Sequence, residues 1–599
     1  MYHIVIFCGG TGSIALQKGF AELFGNKCIQ FHFVINAYDN GLSTGECRKV
    51  FLGKVPGPSD LRKNQLTQYE IKYAEELKNP QSVQSRLYDF MMLRLSAVSC
   101  LAYYEKAARI ISEQEYLEPS AIDWLQELLR YFFFDGDNLR DSVRGVTFDN
   151  FSLSNIFYAS AAAINGFSLS KAGTQIASFL SIKDNVILIS DISLFLHART
   201  ESGFVIEDEK DIICWNNPED KIAEIFLTDI SGKEYMPETG EGNEQHNVKE
   251  LINHADMLIF SSGTQWSSLI PTYVHKGFRE AIGQSKASKY LIMNNAEDGD
   301  MYGVSADRLC EILQRYLDLD TFTIIMNNHA PEMLNTLSGP YKAVYGNFSS
   351  CGDKKHNPFK LVLAIMEDFY GKDILQKKHY MFDLDGTLWD SSEGEAGNET
   401  GIENLSLFPG CIVSGNSYEH LKKILAEKCR QERDIAVYCD YGNTFFMRKS
   451  CDKIYRLTEL FDMEEDVCQL INGQPEYNGK CRMRGRGGVL TIKPLADRES
   501  HIKKINELLS RFHGKYTAKT AGNTSIDITD SNFSKAVMAV IIAEKENMSL
   551  ADILFVGNEV HSGSEAGMEE SGIRALQVND IYECNVFLKV LHKIKNKKE

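Results

Sequence analysis

Asp383 and Asp385 stand two residues apart at the end of a short apolar run, Met381-Phe382-Asp383-Leu384-Asp385-Gly386-Thr387-Leu388. On a strand that is ending, both side chains reach one site, because the chain leaves its pleat there. Gly386 permits a sharp turn and Thr387 adds a hydroxyl. Two carboxylates in different surroundings divide labour, one as an ionised nucleophile and one as a proton-carrying acid/base. A strand closed by a plain Asp-Gly turn is the bland alternative. The whole D-x-D-G-T run after a strand favours the chemistry.

The run DLDGTLWD resembles the first motif of the haloacid dehalogenase (HAD) phosphatase superfamily. The resemblance implies that Asp383 attacks phosphorus, that Asp385 protonates the leaving group, and that Mg2+ sits on Asp383 and the Asp385 carbonyl. Further segments continue it. Ile412-Val413-Ser414-Gly415-Asn416 resembles the second motif, with Ser414 on the phosphoryl oxygens. Ser534-Lys535 resembles the third, in which a lysine neutralises nucleophile and phosphate. In Val556-Gly557-Asn558-Glu559, Asn558 occupies the place of a metal-binding Asp, with Glu559 and Glu565 able to supply the missing charge. Asn is a neutral oxygen ligand, so Mg2+ affinity should fall if neither does. Arg482, Arg484 and Arg486 alternate, and on a strand they share one face. Stacked cations favour an anion between them, so the three are candidates for substrate phosphate or carboxylate, against an exposed strand as the plain reading.

At the other end, Cys8-Gly9-Gly10-Thr11-Gly12-Ser13 joins a β-branched run to a helical pattern. Amides at such a helix start bind phosphate, although a tight strand-to-helix turn needs glycines in any case. The next strand, over residues 30–35, runs into a loop with Asp39, Asn40, Ser43 and Arg48. A second polar loop holds Asp60, Arg62 and Lys63. The carboxylates suit a metal or a sugar hydroxyl and the cations suit phosphate; two solvated loops are the alternative. Farther on, an apolar strand ends in Ser261-Ser262-Gly263-Thr264, with Ser267 at a helix start. Gly263 permits close backbone approach, and the hydroxyls serve a ligand, cap the helix, or both. His329 reads as a hydrogen-bonded loop histidine in preference to one facing the cleft.

Taken in order, these loops resemble the 2-phospho-L-lactate transferase/gluconeogenesis factor family over roughly residues 3–345. The resemblance includes Asn155 in Ser152-Leu153-Ser154-Asn155 and departs at Asn40, Leu42 and Ser154. It implies binding of a nucleotide diphosphate conjugate or nucleotide sugar at Gly9, Gly10, Thr11, Gly12, Ser13, Asp39, Asn40, Ser43, Asp60, Arg62, Asn155, Ser262, Gly263, Thr264 and Ser267.

The elements that hold these residues follow from pattern and length. A chain of 599 residues exceeds one core. We expect an α/β protein. Residues 1–372 form a doubly wound Rossmann-like parallel sheet with a helical insertion at about 66–131. Residues 378–417 and 521–599 form a HAD-like Rossmannoid core, and 418–520 an α/β cap. The short join predicts modules packed against each other. Residues 391–404, acidic and glycine-bearing, read as a mobile flap, and 201–245 as a hairpin and surface loop. The net charge of −18 argues against nucleic acid. No apolar run reaches the roughly 18 residues of a membrane helix. The scattered cysteines and the absence of a signal-peptide pattern point to a cytoplasmic protein. A homodimer is left open.

The expected function is bifunctional. The first module transfers a phosphoryl-linked group from a nucleotide diphosphate conjugate to a hydroxyl, with Mg2+. The second hydrolyses a phosphorylated small molecule, such as a sugar phosphate, through an aspartyl-phosphate. The alternative is a nucleotide-sugar-binding regulatory module fused to an active or degenerate HAD domain. A nicotinamide cofactor at the glycine loop ranks below both.

Overall fold

The computed structural model describes the chain except residues 26–27, 350–354, 429–434, 443, 448–452, 459, 485–487, 494–496, 522–524, 562–564, 566 and 597–599. Arg486 lies outside the described residues. The chain divides into two compact units, Tyr2–Phe369 and, with Met1, Tyr370–Glu599. No helix among the described residues is long and apolar enough to cross a membrane.

The first unit is built on seven parallel strands: β1 (Tyr2–Phe7), β2 (Ile29–Ile35), β3 (Val186–Leu188), β4 (Met257–Phe260), β5 (Ser288–Ile292), β6 (Phe322–Asn327) and β7 (Lys342–Gly346). Their order is β7-β6-β5-β4-β1-β2-β3. The chain winds from β1 to one edge and then back past it, so the direction of winding reverses between β1 and β4. Ligands of open α/β sheets sit outside the strand ends at such a point. The near-continuous apolar runs of β1, β4 and β6 follow from burial on both faces. Helices α1 (Ile14–Phe24), α2 (Leu42–Val50), α3 (Ser59–Lys72) and α4 (Leu153–Ile164) each start just beyond a polar loop. Between α3 and α4 come the further helices Val83–Met92, Cys100–Ser112 and Pro119–Phe133, the expected helical insertion. The segment read as hairpin and loop begins earlier, as a three-stranded antiparallel sheet of Phe195–Thr200, Val205–Ile206 and Ile222–Thr228.

The second unit has a seven-stranded sheet and a smaller, four-stranded one. Its strands are β8 (His379–Phe382), β9 (Cys411–Val413), β10 (Ala436–Cys439), β11 (Thr444–Met447), β12 (Tyr455–Arg456), β13 (Cys481–Arg484), β14 (Val489–Ile492), β15 (Tyr516–Ala521), β16 (Ser525–Asp530), β17 (Ile553–Gly557) and β18 (Arg574–Gln577). The large sheet runs β12-β11-β10-β9-β8-β17-β18 and the small one β13-β14-β16-β15. β10 to β12 therefore extend the large sheet, and the small sheet starts at Cys481, later than the expected cap boundary at 418. The reason is local: β10 is apolar and pairs in parallel with β9.

The expected flap is instead mostly helix, α5 (Glu395–Leu407). Asn404, fully buried, donates to the Ile581 carbonyl at 2.8 Å and accepts from Asn585 Nδ2 at 3.0 Å. Packing against α7 (Ile581–Asn596) overrides a composition that reads as loop. Between them in sequence, α6 (Lys535–Lys545) begins with the Ser534 hydroxyl accepting the Val537 amide at 3.3 Å.

Candidate functional sites

In the second unit Asp383, Lys535 and Glu565 come together, and Asn416 reaches Asp385. β8 delivers Asp383, whose amide bonds the Val556 carbonyl of β17 at 2.9 Å. Gly386, with φ of 69°, turns the chain back, and its amide meets the Trp389 carbonyl at 2.9 Å. The first residue of α6, Lys535, is buried with its ammonium 2.8 Å from Asp383 Oδ2 and 2.9 Å from Glu565 Oε1. Glu565 Oε2 accepts the Glu559 amide at 3.0 Å. One buried ammonium thus faces two carboxylates. Burial and the neighbouring Glu565 charge push the Asp383 carboxyl up, while Lys535 pulls it down. Lys535 and the Glu559 amide hold Glu565 below its ordinary value against its own burial. Asp383 Oδ1 is buried without a hydrogen-bond partner.

Asp385 stands at the exposed rim, its Oδ2 accepting from Asn416 Nδ2. Its carboxyl is raised by desolvation and lowered in part by Lys535 and Asn416. Ser414 is fully buried, and its hydroxyl accepts the Asn416 amide at 3.1 Å.

Asp383, with Oδ1 unpartnered, and the side-chain amide of Asn558, whose nitrogen is its atom nearest Gly386, would offer Mg2+ one carboxylate and one neutral group. That set fits Mg2+, which keeps waters and takes one or two carboxylates. Among the described residues no group of three His, Cys, Asp or Glu is arranged to hold a metal. Glu559, expected as a ligand, has an exposed side chain and acts here through its amide.

Of the expected arginine trio, the two described members, Arg482 and Arg484, stand in different surroundings. The Arg484 guanidinium is ion-paired with Asp527 and donates to the Gly415 carbonyl at 2.9 Å, because a half-buried cation requires such partners. Arg482 is exposed.

In the first unit four loops gather at adjacent strand ends. Among the described residues, the amides of Gly9, Gly10, Thr11, Gly12 and Ser13 have no acceptor. The Ser13 hydroxyl is not a ligand group: it donates to Asn64 Oδ1 at 3.1 Å and accepts from Gln17 at 2.8 Å. Asn64 also donates to the Gly9 carbonyl at 2.9 Å, pinning the loop to α3 beside the buried Cys8 thiol. The Asp60 carboxylate and the Lys63 ammonium, paired at 3.2 Å, both lie against Gly10. Burial and Asp39 raise the Asp60 carboxyl, and Lys63 lowers it.

Arg62, read as a phosphate holder, instead donates to Ser152 at 2.7 Å and Ser154 at 3.2 Å. Arg48 likewise braces the Leu194 carbonyl at 2.7 Å and stacks over Phe195 at 4.1 Å. Both guanidinium groups are buried, and the fold gives each partners at its terminal nitrogens, while each Nε has none among the described residues. Asn155 bonds Ser43 at 3.1 Å. Asp39 accepts the Gly41 amide at 2.8 Å, and the Asn40 amide donates to Glu209 at 2.7 Å.

Gly263 exchanges two hydrogen bonds with Asn294, at 2.9 and 3.0 Å. Ser262 meets His356 at 3.5 Å, and Thr264 is half-buried at the same turn. Ser267 donates to Asp300 from its amide at 3.1 Å and its hydroxyl at 3.2 Å. Beyond β5 and β6 lies a cavity of about 720 Å³ lined by Asn295, Glu297, Asp298, Tyr302 and His329, with no glycine-loop residue in its lining.

Sequence reasoning missed Glu209, Asp300, Asn416, Tyr441 and Asp527. Asp527 left a trace, since Ser525, Asp527 and Thr529 alternate along a strand that proves entirely buried. Glu209 and Asp300 left none.

The family model for 2-phospho-L-lactate transferase CofD matches residues 4–344. A gluconeogenesis factor of Halalkalibacterium halodurans is 23% identical over 305 residues, 51% of this chain and 70% of that protein. The gluconeogenesis factor of Bacillus subtilis is 23% identical over 291 residues, 49% of this chain and 67% of that protein. Among solved structures, a UPF0052-family protein from Bacillus halodurans aligns with 20% identity and a TM-score of 0.41, covering 61% of this chain and all (100%) of that one. Sucrose-phosphatase from Synechocystis aligns with 16% identity and a TM-score of 0.27, covering 34% and 84%. Scores this low establish no functional relationship.

Proposed function

The chain belongs to the 2-phospho-L-lactate transferase CofD family through its first unit, and from that premise we propose a two-site enzyme whose second unit is a HAD-like phosphomonoester hydrolase. The observation that carries the hydrolase is the ion pair of Lys535 with Asp383 at 2.8 Å, flanked by Asn416 on Asp385. Asp383 attacks the phosphorus of an ester as the bond to the alcohol oxygen breaks. The proton held by Asp385 goes to that oxygen. Asp385 then takes a proton from water, whose oxygen displaces Asp383 and releases phosphate. Lys535 offsets the charge gathered on Asp383, and Ser414 and the loop amides meet the phosphoryl oxygens. Mg2+ bound at Asp383 Oδ1 and Asn558 would favour the ionised form of Asp383 and screen the incoming phosphate.

The first unit binds a nucleotide diphosphate conjugate, its diphosphate on the amides of Gly9–Ser13 beside Lys63. A hydroxyl oxygen of the acceptor attacks the phosphorus bearing the transferred group. The bond to the nucleotide's bridging oxygen breaks, the nucleoside monophosphate leaves, and the acceptor's proton passes to a carboxylate beside Asp39 and Asp60.

Release of phosphate from p-nitrophenyl phosphate and sugar phosphates, with and without Mg2+, tests the hydrolase. Asp383→Asn is expected to lower turnover by about 10³-fold or more; turnover that survives this substitution sinks the assignment. For the first unit, stabilisation by nucleoside diphosphate conjugates with formation of monophosphate is expected. Binding with no transfer leaves a regulatory module, and stabilisation by NAD alone overturns the reading.

A further inference from the structure

Three consecutive carbonyls of the loop after β9 are tied down by donors from other segments. The Tyr441 amide donates to Ser414 O at 2.9 Å, Arg484 Nη1 to Gly415 O at 2.9 Å, and the Asp440 amide to Asn416 O at 2.8 Å. In a trans peptide the carbonyl and the following amide point opposite ways. Pinning the first two carbonyls therefore turns the amides of Gly415 and Asn416 to the other side. The Asn416 amide indeed meets Ser414 Oγ at 3.1 Å, and its side chain meets Asp385.

The donors are themselves fixed. Asp440 and Tyr441 both take left-handed backbone angles, φ of 51° and 59°. Non-glycine residues hold that shape only where the surroundings impose it, and such sites cluster at function. Here the shape presents two successive amides to the loop. Asp527, 1% exposed on β16, accepts the Tyr441 hydroxyl at 2.8 Å, Thr491 Oγ1 at 2.5 Å and Arg484 Nη2. Arg484 Nε meets Thr491 Oγ1 at 2.6 Å. One carboxylate of the small sheet thus orients both a guanidinium and a phenol onto the loop of the large one, and the Tyr441 ring packs on Gly415.

We propose that Asp527, Tyr441 and Arg484 form a latch through which the four-stranded sheet aims the Ser414–Asn416 loop at Asp383 and Asp385. The proposal rests on the hydrolase reading above. The three are positioning residues and touch no reacting atom. The latch acts on the phosphoryl end, which every substrate shares, so its loss should not depend on the leaving group. An Arg484 that bound substrate directly would matter most for sugar phosphates.

The test compares Arg484→Ala, Asp527→Asn and Tyr441→Phe in the full chain, on p-nitrophenyl phosphate and on a sugar phosphate panel. Amide hydrogen exchange over residues 411–418 and thermal midpoints are read alongside. The latch predicts a fall in kcat of about 10- to 100-fold, equal on both substrate types, with little change in KM, because small misplacements carry that cost. Exchange at 411–418 should rise, and Arg484→Lys should recover part of the loss. Loss confined to sugar phosphates assigns Arg484 to substrate and overturns the latch. So does kcat within twofold of the parent with exchange unchanged. If the parent shows no Asp383-dependent turnover, the hydrolase reading fails and exchange alone decides: faster exchange in Asp527→Asn upholds the latch and unchanged exchange overturns it.

Discussion

Asp300 sits beneath the turn that carries Ser267, 4% exposed, with Oδ2 taking two donors and Oδ1 none. Burial raises its carboxyl from 3.8 to about 7. The folded chain keeps this proton across a range in which the unfolded chain has released it. Stability therefore falls as pH rises from about 4 to about 7 and levels above that. Asn at this position accepts the same two donors and never ionises. Asp300→Asn should accordingly raise the thermal midpoint at pH 8 by roughly 2 °C or more, with the gain fading toward pH 5. Melting curves at the two pH values decide it; a gain independent of pH would show that Asp300 is already ionised in the folded protein.

The loops after β1 and β4 are fitted to one another. A Cβ on Gly12 would collide with the Ser262 carbonyl oxygen, which is backbone and cannot swing aside. Gly12→Ala should destabilise the first unit by about 1–3 kcal/mol and abolish stabilisation by nucleotide diphosphate conjugates. Gly145→Ala, where nothing stands within 4 Å, is the matched control and should change neither. Thermal shifts with and without ligand check both.

The same loops show how far sequence reaches. Strands buried on both faces announce themselves as apolar runs, and the D-x-D-G-T turn is local, so the two large sheets and the turn that carries Asp383 were legible. Asp527 and Tyr441 act 86 residues apart in the chain, and no short-range pattern encodes that meeting. Arg48 and Arg62 misled because a guanidinium's type says nothing of whether a ligand or the fold will satisfy it. The flap misled because α5 owes its order to α7.

Each unit has its own core, one around Val5, Phe260 and Ile324 and another around Met381, Phe555 and Ile542. With the two proposed sites on separate units, damage should be separable. Asp383→Asn should end phosphate release yet leave the thermal response to nucleotide conjugates intact, and Gly12→Ala should do the reverse. Loss of both properties in either variant would argue for a single shared site.

Beside the glycine loop, burial pushes the Cys8 thiol up to about 12, and it raises Cys47 on α2 as well. Oxidants and alkylating agents attack the thiolate, and burial disfavours that form at both sulfurs. Exposed Cys214 stands apart from them. The loops around Cys8 and Cys47 should therefore outlast peroxide or iodoacetamide treatment that modifies the surface, a durability obtained from packing and not from a missing cysteine.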